Sequence, residues 1–232
     1  MQLSNALVLI TGANRGIGLA FAREALVRGA RRVYAAARDP ASVQLPGVQA
    51  IRLDVTDPEQ VERIARECGD VTVLVNNAGI AATGGFLADT GLASARHQLE
   101  TNFFGPLRMA QAFAPVLARN GGGAVLNVLS VASWINRPLL GVYGASKSAA
   151  WALTNGLRHE LRAQGTHVAA LHMGFVDTDL TRGIDMPKST PEEIVRRALD
   201  ALEAGQEEIL ADEAARQVKL SLSTPAAAYL AA

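Results

Sequence analysis

Seven short apolar runs set the strongest constraint on how this chain folds. Each run is five to seven residues long, and helix-length segments separate most of them. Continuous apolar runs are typical of strands buried on both faces, and strands that alternate with helices form parallel sheets. The pattern predicts an α/β fold, a doubly wound parallel sheet (Rossmann-like) with helices on both faces. The predicted strands are residues 6–11, 32–37, 48–53, 71–76, 124–129, 167–173 and 207–211.

The longer segments between these runs show helical periodicity. No internal repeat, linker or shift in composition divides the chain, so we expect one domain over residues 1–232, with a loose C-terminal tail at 223–232. The predicted helices are residues 16–28, 57–68, 94–118, 143–163 and 190–204.

Charge and cysteine content exclude several classes of function. The 22 basic residues balance the 22 acidic ones, so nothing draws the chain to nucleic acid or to an acidic membrane. No apolar run approaches the roughly 18–20 residues of a membrane span, and the first residues do not resemble a signal peptide. Cys68, the only cysteine, reads as a packing residue. We expect a cytoplasmic protein whose partners are small molecules or copies of itself.

A glycine-rich turn follows the first predicted strand. The sequence TGANRGIG carries Gly12, Gly16 and Gly18, and a helical pattern begins directly after it. Glycine lets a backbone approach a pyrophosphate, and a helix N-terminus presents unpaired N–H groups to an anion. The spacing differs from the common G-x-G-x-x-G fingerprint, because three residues separate the first two glycines. The turn predicts a dinucleotide site; the alternative is a turn that only tightens the strand-to-helix connection.

The residue after the second strand bears on the choice between NAD and NADP. Arg38 stands 20 positions beyond Gly18, where a carboxylate would bind the ribose 2′-hydroxyl of NAD and an arginine would accommodate the 2′-phosphate of NADP. Arg15, inside the glycine turn, would add a second positive charge to that phosphate. Asp39 is the competing carboxylate, and we expect it to have left the strand and to point elsewhere. The sequence predicts NADP(H).

The segment GVYGASK places Tyr143 and Lys147 four positions apart on a predicted helix. Such side chains share one helix face, with Cβ atoms about 5–6 Å apart. We expect the Lys147 ammonium to lower the pKa of the Tyr143 phenol toward the working pH, where a proton donor is most effective. Tyr143 would then act as general acid in a carbonyl reduction, and the small residues 144–146 would leave room for a nicotinamide ribose. The alternative is a solvated helix face.

Taken together, these motifs resemble the short-chain dehydrogenase/reductase family over roughly residues 5–215. Each motif is weak alone, but their order and spacing are jointly specific. The motifs are TGANRGIG, LDVTD at 53–57, NNAG at 76–79, Asn102 in TNFFG, Ser130 in NVLSVAS, and YGASK.

The resemblance implies an NADP(H)-dependent oxidoreductase that interconverts a carbonyl and an alcohol. Its catalytic residues would be Asn102, Ser130, Tyr143 and Lys147. Ser130 precedes Tyr143 by 13 positions, as in the family, and would hydrogen-bond the substrate carbonyl oxygen. Asn102 would hold a water that connects Lys147 to solvent. Family members also assemble as homodimers or homotetramers, which we expect here.

The resemblance also implies a set of coenzyme-binding residues. Asp54 and Val55 would flank the adenine. Asn77 would lie near the adenine ribose, and Thr178 near the nicotinamide carboxamide. The full implied set is Gly12, Asn14, Arg15, Gly16, Ile17, Gly18, Arg38, Asp54, Val55, Asn77, Ala78, Gly79, Tyr143, Lys147, Val176 and Thr178.

The sequence departs from the family pattern at the end of the sixth predicted strand. Met173 stands where the family has proline, which would loosen the backbone beside the nicotinamide. His172 precedes it, and because no second ligand stands at zinc-like spacing we expect a structural residue and no metal.

The segment that would close the substrate pocket is short, since only twelve residues separate Thr178 from Pro191. We expect an open, apolar pocket suited to a hydrophobic ketone or aldehyde. Two alternatives remain at this point: a non-catalytic NADP(H)-binding redox sensor, and a 3-oxoacyl-thioester reductase. The expected pocket residues are Trp134, Ile135, Leu139, Leu140, Phe175 and Leu180.

Overall fold

Seven parallel strands form one sheet in the order β3-β2-β1-β4-β5-β6-β7. All seven predicted strands are present, with ends within two residues of the expected positions. The computed structural model describes residues 1–230. The strands are β1 (Leu7–Thr11), β2 (Arg32–Ala37), β3 (Gln49–Arg52), β4 (Val73–Asn76), β5 (Ala124–Val128), β6 (His167–His172) and β7 (Glu208–Leu210).

The strand order reverses between β1 and β4, and this reversal creates the main crevice. The chain moves outward from β1 through β2 to β3, then returns to place β4 on the other side of β1. Ligands of open α/β sheets bind outside the carboxyl ends of the strands at such a switch point. The fold therefore assembles the glycine turn and the ends of β4, β5 and β6 at one edge of the sheet.

Helices cover both faces of the sheet, as the alternation of elements predicts. On one face, α1 and α6 pack over a core that includes Phe21 and Ile194. On the other, α2, α4 and α5 pack over a core that includes Phe113 and Leu157. The helices are α1 (Gly16–Val27), α2 (Pro58–Glu67), α3 (Gly91–Leu99), α4 (Gly105–Arg119), α5 (Gly141–Glu160), α6 (Pro191–Glu203) and α7 (Glu213–Ser221).

Two helix predictions differ from the structure. The expected single helix at 94–118 is divided into α3, a π-type turn at residues 100–104 and α4. Helix α7 was not predicted, although its start carries a readable signal. The Asp212 carboxylate caps it by accepting a hydrogen bond from the backbone N–H of Ala215 at 2.8 Å.

The predicted tail is partly packed where the structure describes it. Ala227 is buried, and the Ala228 N–H donates to the Ser221 hydroxyl at 3.1 Å. The last two residues of that predicted tail, 231–232, lie outside the described residues, and the boundaries of the domain stay a prediction. Along residues 1–230, no helix combines the length and apolarity needed to cross a membrane.

Cys68 lies directly after α2 and is buried. Burial raises the pKa of its thiol to about 12, so the group is un-ionised at neutral pH. This agrees with the expectation of a packing residue.

Gly18 gives a test of the strand-turn-helix connection. A Cβ at this position would lie 2.1 Å from the Gly12 carbonyl oxygen, which is backbone and has no freedom to move aside. We predict that Gly18→Ala lowers the free energy of unfolding by about 2–3 kcal/mol, the range of overpacked cores. Urea denaturation of the purified variant measures it.

Gly156→Ala is the matched control, because Gly156 lies inside α5 and its added Cβ meets nothing closer than 3.9 Å. There alanine should stabilise the helix by about 0.5–1 kcal/mol. Equal stability changes for the two variants would contradict the close contact at Gly18.

Candidate active site

The carboxyl ends of β1, β4, β5 and β6 bring the predicted site residues to one edge of the sheet. The glycine turn leaves β1, NNAG leaves β4, and Ser130 follows β5 by two residues. Helix α5 passes beside them and carries Tyr143 and Lys147. The crevice at the switch point therefore joins the predicted coenzyme turn to the predicted catalytic residues.

The glycine turn has the geometry of an anion cradle. Gly12 and Gly16 have φ values of +66° and +52°, in the left-handed region where only glycine is unstrained. Helix α1 starts with no side-chain cap and no acidic residue in its first turn, whereas Asp57, Thr190 and Asp212 cap α2, α6 and α7. An uncapped N-terminus behind a glycine turn fits the pyrophosphate of a dinucleotide.

Thr11 joins β1 to the NNAG segment, a role that the sequence analysis missed. Its hydroxyl accepts hydrogen bonds from the backbone N–H groups of Asn77 and Ala78, both at 3.0 Å. The Asn77 amide donates in turn to the Thr11 and Gly12 carbonyls, at 2.9 and 3.1 Å. Asn77 therefore holds the glycine turn in place through its side chain.

The pair expected beside the adenine is turned toward the protein. The Asp54 carboxylate accepts from the N–H and hydroxyl of Thr56, at 2.9 and 2.7 Å. Val55 is buried and packs against Gly105, where any added Cβ would come within 2.8 Å of its side chain. Their contact with an adenine stays a prediction.

The two arginines predicted to bind the 2′-phosphate differ in their surroundings. Arg38 lies directly after β2 and is exposed. Asp39 points elsewhere, as expected, because its carboxylate accepts from the Ala41 N–H at 3.0 Å. Arg15, in contrast, forms an ion pair with Asp179 at 2.8 Å. This pair holds the pKa of Asp179 below its usual range, and Arg182 contributes to the same shift.

Ser130, Tyr143 and Lys147 lie together at this edge of the sheet. The Ser130 hydroxyl hydrogen-bonds the Tyr143 phenol and accepts from the Ala132 N–H at 3.1 Å. The buried Lys147 ammonium donates to the Val128 carbonyl at 2.9 Å and lies 5.8 Å from the centre of the Tyr143 ring. The i, i+4 spacing therefore brings the two side chains together, as predicted.

The expected direction of the Tyr143 shift is wrong. Burial raises the pKa of the Tyr143 phenol to about 12, and the hydrogen bond from Ser130 offsets only part of this effect. Burial also lowers the pKa of Lys147 to about 8. Desolvation disfavours the charged form of both groups, and the sequence spacing carries no information about it. The phenol is therefore protonated at neutral pH.

The Asn102 side chain is occupied by protein partners. It lies in the π-type turn, buried, and its carbonyl oxygen accepts from the Ile80 N–H at 2.9 Å. Its amide donates to the Ile80 carbonyl at 2.8 Å and to the Ser146 hydroxyl at 2.9 Å. The expected water link between Asn102 and Lys147 stays a prediction.

Two of the small residues between Tyr143 and Lys147 serve packing, and the expected space for a ribose stays a prediction. A Cβ on Gly144 would lie 1.9 Å from the Asn136 amide oxygen, so glycine is needed to admit the Asn136 side chain. Ser146 is buried, and its hydroxyl donates to the Tyr143 carbonyl at 2.7 Å.

The pocket prediction is wrong for Trp134. Its side chain is 9% exposed and stacks on His172, with ring centres 3.8 Å apart. Leu139 and Leu180 are 60% and 49% exposed. Phe86, which the sequence analysis did not consider, is 56% exposed, and its ring lies against Gly141 at the start of α5.

His172 is structural, as expected, in that it is buried and neutral. Burial lowers the pKa of its imidazole to about 3, and its Nδ1 lies 3.2 Å from the Ser130 carbonyl. Among the described residues, no group of three or more His, Cys, Asp or Glu side chains could hold a metal ion.

The remaining predicted contacts lie in the segment after β6. The Thr178 side chain approaches Gly16, with a methyl carbon 3.2 Å from where a Cβ would stand, so this segment borders the glycine turn. Val176 is buried and pairs with Ser189. The Lys188 ammonium donates to the Thr181 carbonyl at 2.9 Å, which closes the short segment on itself.

Comparison with known proteins points to one family. The family model described as short chain dehydrogenase matches residues 6–188. A short chain dehydrogenase from Burkholderia cenocepacia J2315, solved in complex with NADP, superimposes with a TM-score of 0.93 at 36% identity, over 97% of this chain and 95% of that chain.

Two curated relatives differ in length. The sorbitol dehydrogenase of Cereibacter sphaeroides is 33% identical over 250 aligned positions, covering 100% of this chain and 95% of that protein. The dehydrogenase/reductase SDR family member 7B of Bos taurus is 33% identical over 195 positions. That alignment covers 76% of this chain and 60% of the bovine protein, so the chain spans about three fifths of the longer relative's length.

Lys147→Met tests the buried ammonium. The pKa of Lys147 is about 8 in the folded chain and about 10.4 in the unfolded chain. Below pH 8 the buried ammonium therefore lowers the free energy of unfolding by its full amount, and this loss disappears as the pH rises toward 10.4. We predict that the unaltered chain gains stability between pH 8 and 10.4 relative to Lys147→Met. Parallel urea titrations at pH 7, 8.5 and 10 measure the difference.

A difference between the two proteins that does not change with pH would contradict a depressed pKa. The same variant should lose roughly 100-fold or more in turnover, the usual scale for groups that assist proton transfer.

Proposed function

The chain belongs to the short-chain dehydrogenase/reductase family, and on that premise we propose that it uses NADP(H), with Tyr143 as the proton donor and acceptor. It is an oxidoreductase that interconverts a carbonyl and an alcohol with a nicotinamide coenzyme. The observation that carries the proposal is the approach of the buried Lys147 ammonium to Tyr143, 5.8 Å from the centre of its ring, with Ser130 acting on the same phenol.

In reduction, the Tyr143 hydroxyl donates its proton to the substrate carbonyl oxygen. The Ser130 hydroxyl hydrogen-bonds the same oxygen as negative charge develops on it. When bound, the nicotinamide supplies the hydride for the carbonyl carbon, so that carbon and oxygen each gain one hydrogen and an alcohol results. A phenol with a pKa of about 12 is fully protonated at neutral pH, so the proton that reduction requires is present.

The Lys147 ammonium stabilises the phenolate that the proton transfer leaves. A group with a pKa of about 8 is mostly charged at pH 7, and it lies on the Tyr143 side of the crevice. Opposite charges attract strongly where water is excluded. In oxidation the same phenolate takes the proton from the alcohol.

Arg38 is the main support for NADP(H). It is exposed directly after β2, where a 2′-phosphate would lie in this fold. The carboxylate of Asp39 is used as a cap for residues 40–42 and does not compete for the ribose. Arg15 contributes less than expected from the sequence, because Asp179 already neutralises its charge.

The substrate is an apolar ketone or aldehyde in this proposal. Phe86, Leu139 and Leu180 carry exposed apolar surface on the segments that flank the crevice. One relative of the chain is a sorbitol dehydrogenase, so polyols are the competing substrate class. We also propose that the protein acts in the cytoplasm as a homodimer or homotetramer, as members of the family do.

Tyr143→Phe tests the proton donor. We predict that it lowers turnover by roughly 100- to 10,000-fold, the contribution of a positioned general acid, while coenzyme binding measured by fluorescence titration is unchanged. The assay uses NADPH with a panel of apolar ketones, aldehydes and, in the reverse direction, polyols with NADP⁺. Tyr229→Phe is the control, because Tyr229 is 51% exposed on the C-terminal segment.

Unchanged turnover in Tyr143→Phe would remove the proposed acid. Coenzyme binding without turnover on any member of the panel would favour the redox-sensor alternative.

Arg38→Ala tests the choice of coenzyme. We predict that it raises the KM for NADPH roughly 10- to 100-fold, as expected for loss of a hydrogen bond to a charged group, and leaves the KM for NADH unchanged. Arg15→Ala should have a smaller effect, because Arg15 is paired with Asp179. Steady-state kinetics of the unaltered enzyme and of both variants gives the KM for NADPH and the KM for NADH of each protein.

Arg31→Ala is the matched control, since Arg31 is equally exposed but precedes β2 at the opposite end of the strand. A preference for NADH that survives Arg38→Ala would contradict the phosphate argument.

A further inference from the structure

A buried imidazole lies directly behind the proposed oxyanion donor. His172 ends β6, has no exposed surface, and places its Nδ1 3.2 Å from the Ser130 carbonyl oxygen. Neither the reaction described above nor the two cores of the sheet accounts for a polar ring at this position. A leucine or valine, as elsewhere in β6, would fill the space without an unpaired nitrogen.

The contact with Ser130 determines the state of the ring. A carbonyl oxygen only accepts hydrogen bonds, so Nδ1 must carry the hydrogen and donate it. Nε2 is then an acceptor, and it is buried with no hydrogen-bond partner among residues 1–230. The ring therefore holds Ser130 through one nitrogen and offers no route for a proton through the other.

Trp134 fixes the plane of the imidazole. The two rings stack at 3.8 Å with an angle of 17° between them, and the ring of Trp151 meets Trp134 edge-on at 6.4 Å. From α7, the Lys219 ammonium lies 5.1 Å from the centre of the Trp134 ring and is itself paired with Glu208 at 2.8 Å. The Trp134 ring therefore packs against one face of the imidazole and fixes its orientation.

Hydrogen bonds hold Ser130 at both its carbonyl oxygen and its hydroxyl oxygen. Its carbonyl accepts from the Ser133 N–H at 3.0 Å as well as from His172, and its hydroxyl accepts from the Ala132 N–H at 3.1 Å. The neighbouring Val131 N–H donates to the Met173 carbonyl at 2.9 Å. His172 is the only side chain that bonds the Ser130 carbonyl among the described residues.

We propose that His172 is a positioning residue for the reaction: its neutral imidazole, clamped by Trp134, holds the Ser130 carbonyl and so directs the Ser130 hydroxyl at Tyr143 and the substrate oxygen. This inference rests on the proposed role of Ser130. Loss of the imidazole leaves the hydroxyl in place but free to rotate away from the line between phenol and substrate. We expect the effect on turnover and not on coenzyme binding, because the polar contact of His172 is with the Ser130 carbonyl.

Two substitutions at His172 test the hydrogen bond. His172→Leu removes the donor, whereas His172→Asn keeps an N–H close to the position of Nδ1. We expect His172→Leu to lower kcat about tenfold with the coenzyme KM unchanged, and His172→Asn to recover kcat to within about threefold of the unaltered enzyme. His159→Leu, at an exposed position on α5, is the control for histidine loss.

The pH profile separates positioning from a general loss of structure. The Ser130 hydrogen bond favours the Tyr143 phenolate, so in the oxidation direction, where the phenolate is the base, the rise of kcat with pH should move to higher pH in His172→Leu and return in His172→Asn. Equal kcat and pH profile in His172→Leu and the unaltered enzyme would overturn the proposal. So would equal impairment of the leucine and asparagine variants when both retain coenzyme binding and cooperative thermal unfolding.

The unaltered enzyme provides a second test that needs no substitution. Nitrogen NMR of the ¹⁵N-histidine-labelled protein should show one ring that stays neutral with hydrogen on Nδ1 between pH 5.5 and 9. The charged groups around that ring are Lys147, Arg158 and Lys219, which all oppose its protonation. A hydrogen on Nε2, or titration of every histidine in this range, would overturn the proposal even if His172→Leu fails to fold.

Failure of this proposal and failure of the proposed function give different results. If Tyr143→Phe keeps its turnover, the proton donor is wrong, and no conclusion about Ser130 geometry follows from kinetics. The NMR assignment still decides the tautomer in that case. If Tyr143→Phe is inactive but His172→Leu is fully active, only the positioning role fails.

Discussion

The contact between α5 and the end of β5 is the constraint on which the site depends. Lys147 donates to the Val128 carbonyl at 2.9 Å, and the Ser148 hydroxyl donates to the Ser133 carbonyl at 2.8 Å. Ser146 ties the same helix to Asn102 across the π-type turn. Because α5 is fixed to the strand at these points, Tyr143 and Ser130 meet although they belong to different elements. Helix α5 supplies the phenol and the segment directly after β5 supplies the hydroxyl, so the site requires both elements in this relative position.

Burial governs the charges of this site more than pairing does. Tyr143, Lys147 and His172 all have a pKa displaced toward the neutral form, with burial as the largest cause in each case. Such a site disfavours any charge that has no prepared partner. In the proposed reaction, charge forms at the phenol oxygen and at the substrate oxygen, and Ser130 and Lys147 are the donors proposed to stabilise it. This arrangement is the preorganisation that oxyanion-stabilising sites share.

The sequence predicted the sheet well, and it predicted the surroundings of individual site residues less well. Continuous apolar runs identify buried strands directly, so all seven were found. Helix α7 was not predicted because it is short and mostly polar. The π-type turn at 100–104 was not predicted because its sequence has no periodic pattern. The contacts of Trp134 and Arg15 were not predicted for a different reason. Their partners, His172 and Asp179, lie 38 and 164 positions away, and no local pattern reveals a contact made only by the folded chain.

The single thiol of this chain has a practical and a chemical consequence. Cys68 is enclosed behind α2, and a thiol with a pKa of about 12 presents almost no thiolate at neutral pH. Alkylating reagents act on the thiolate, so the native protein offers them no reactive cysteine. A cysteine introduced anywhere on the surface would therefore be modified alone. The enzyme can therefore be labelled at one chosen position with a fluorophore, a spin label or a surface attachment, without removal of its own cysteine.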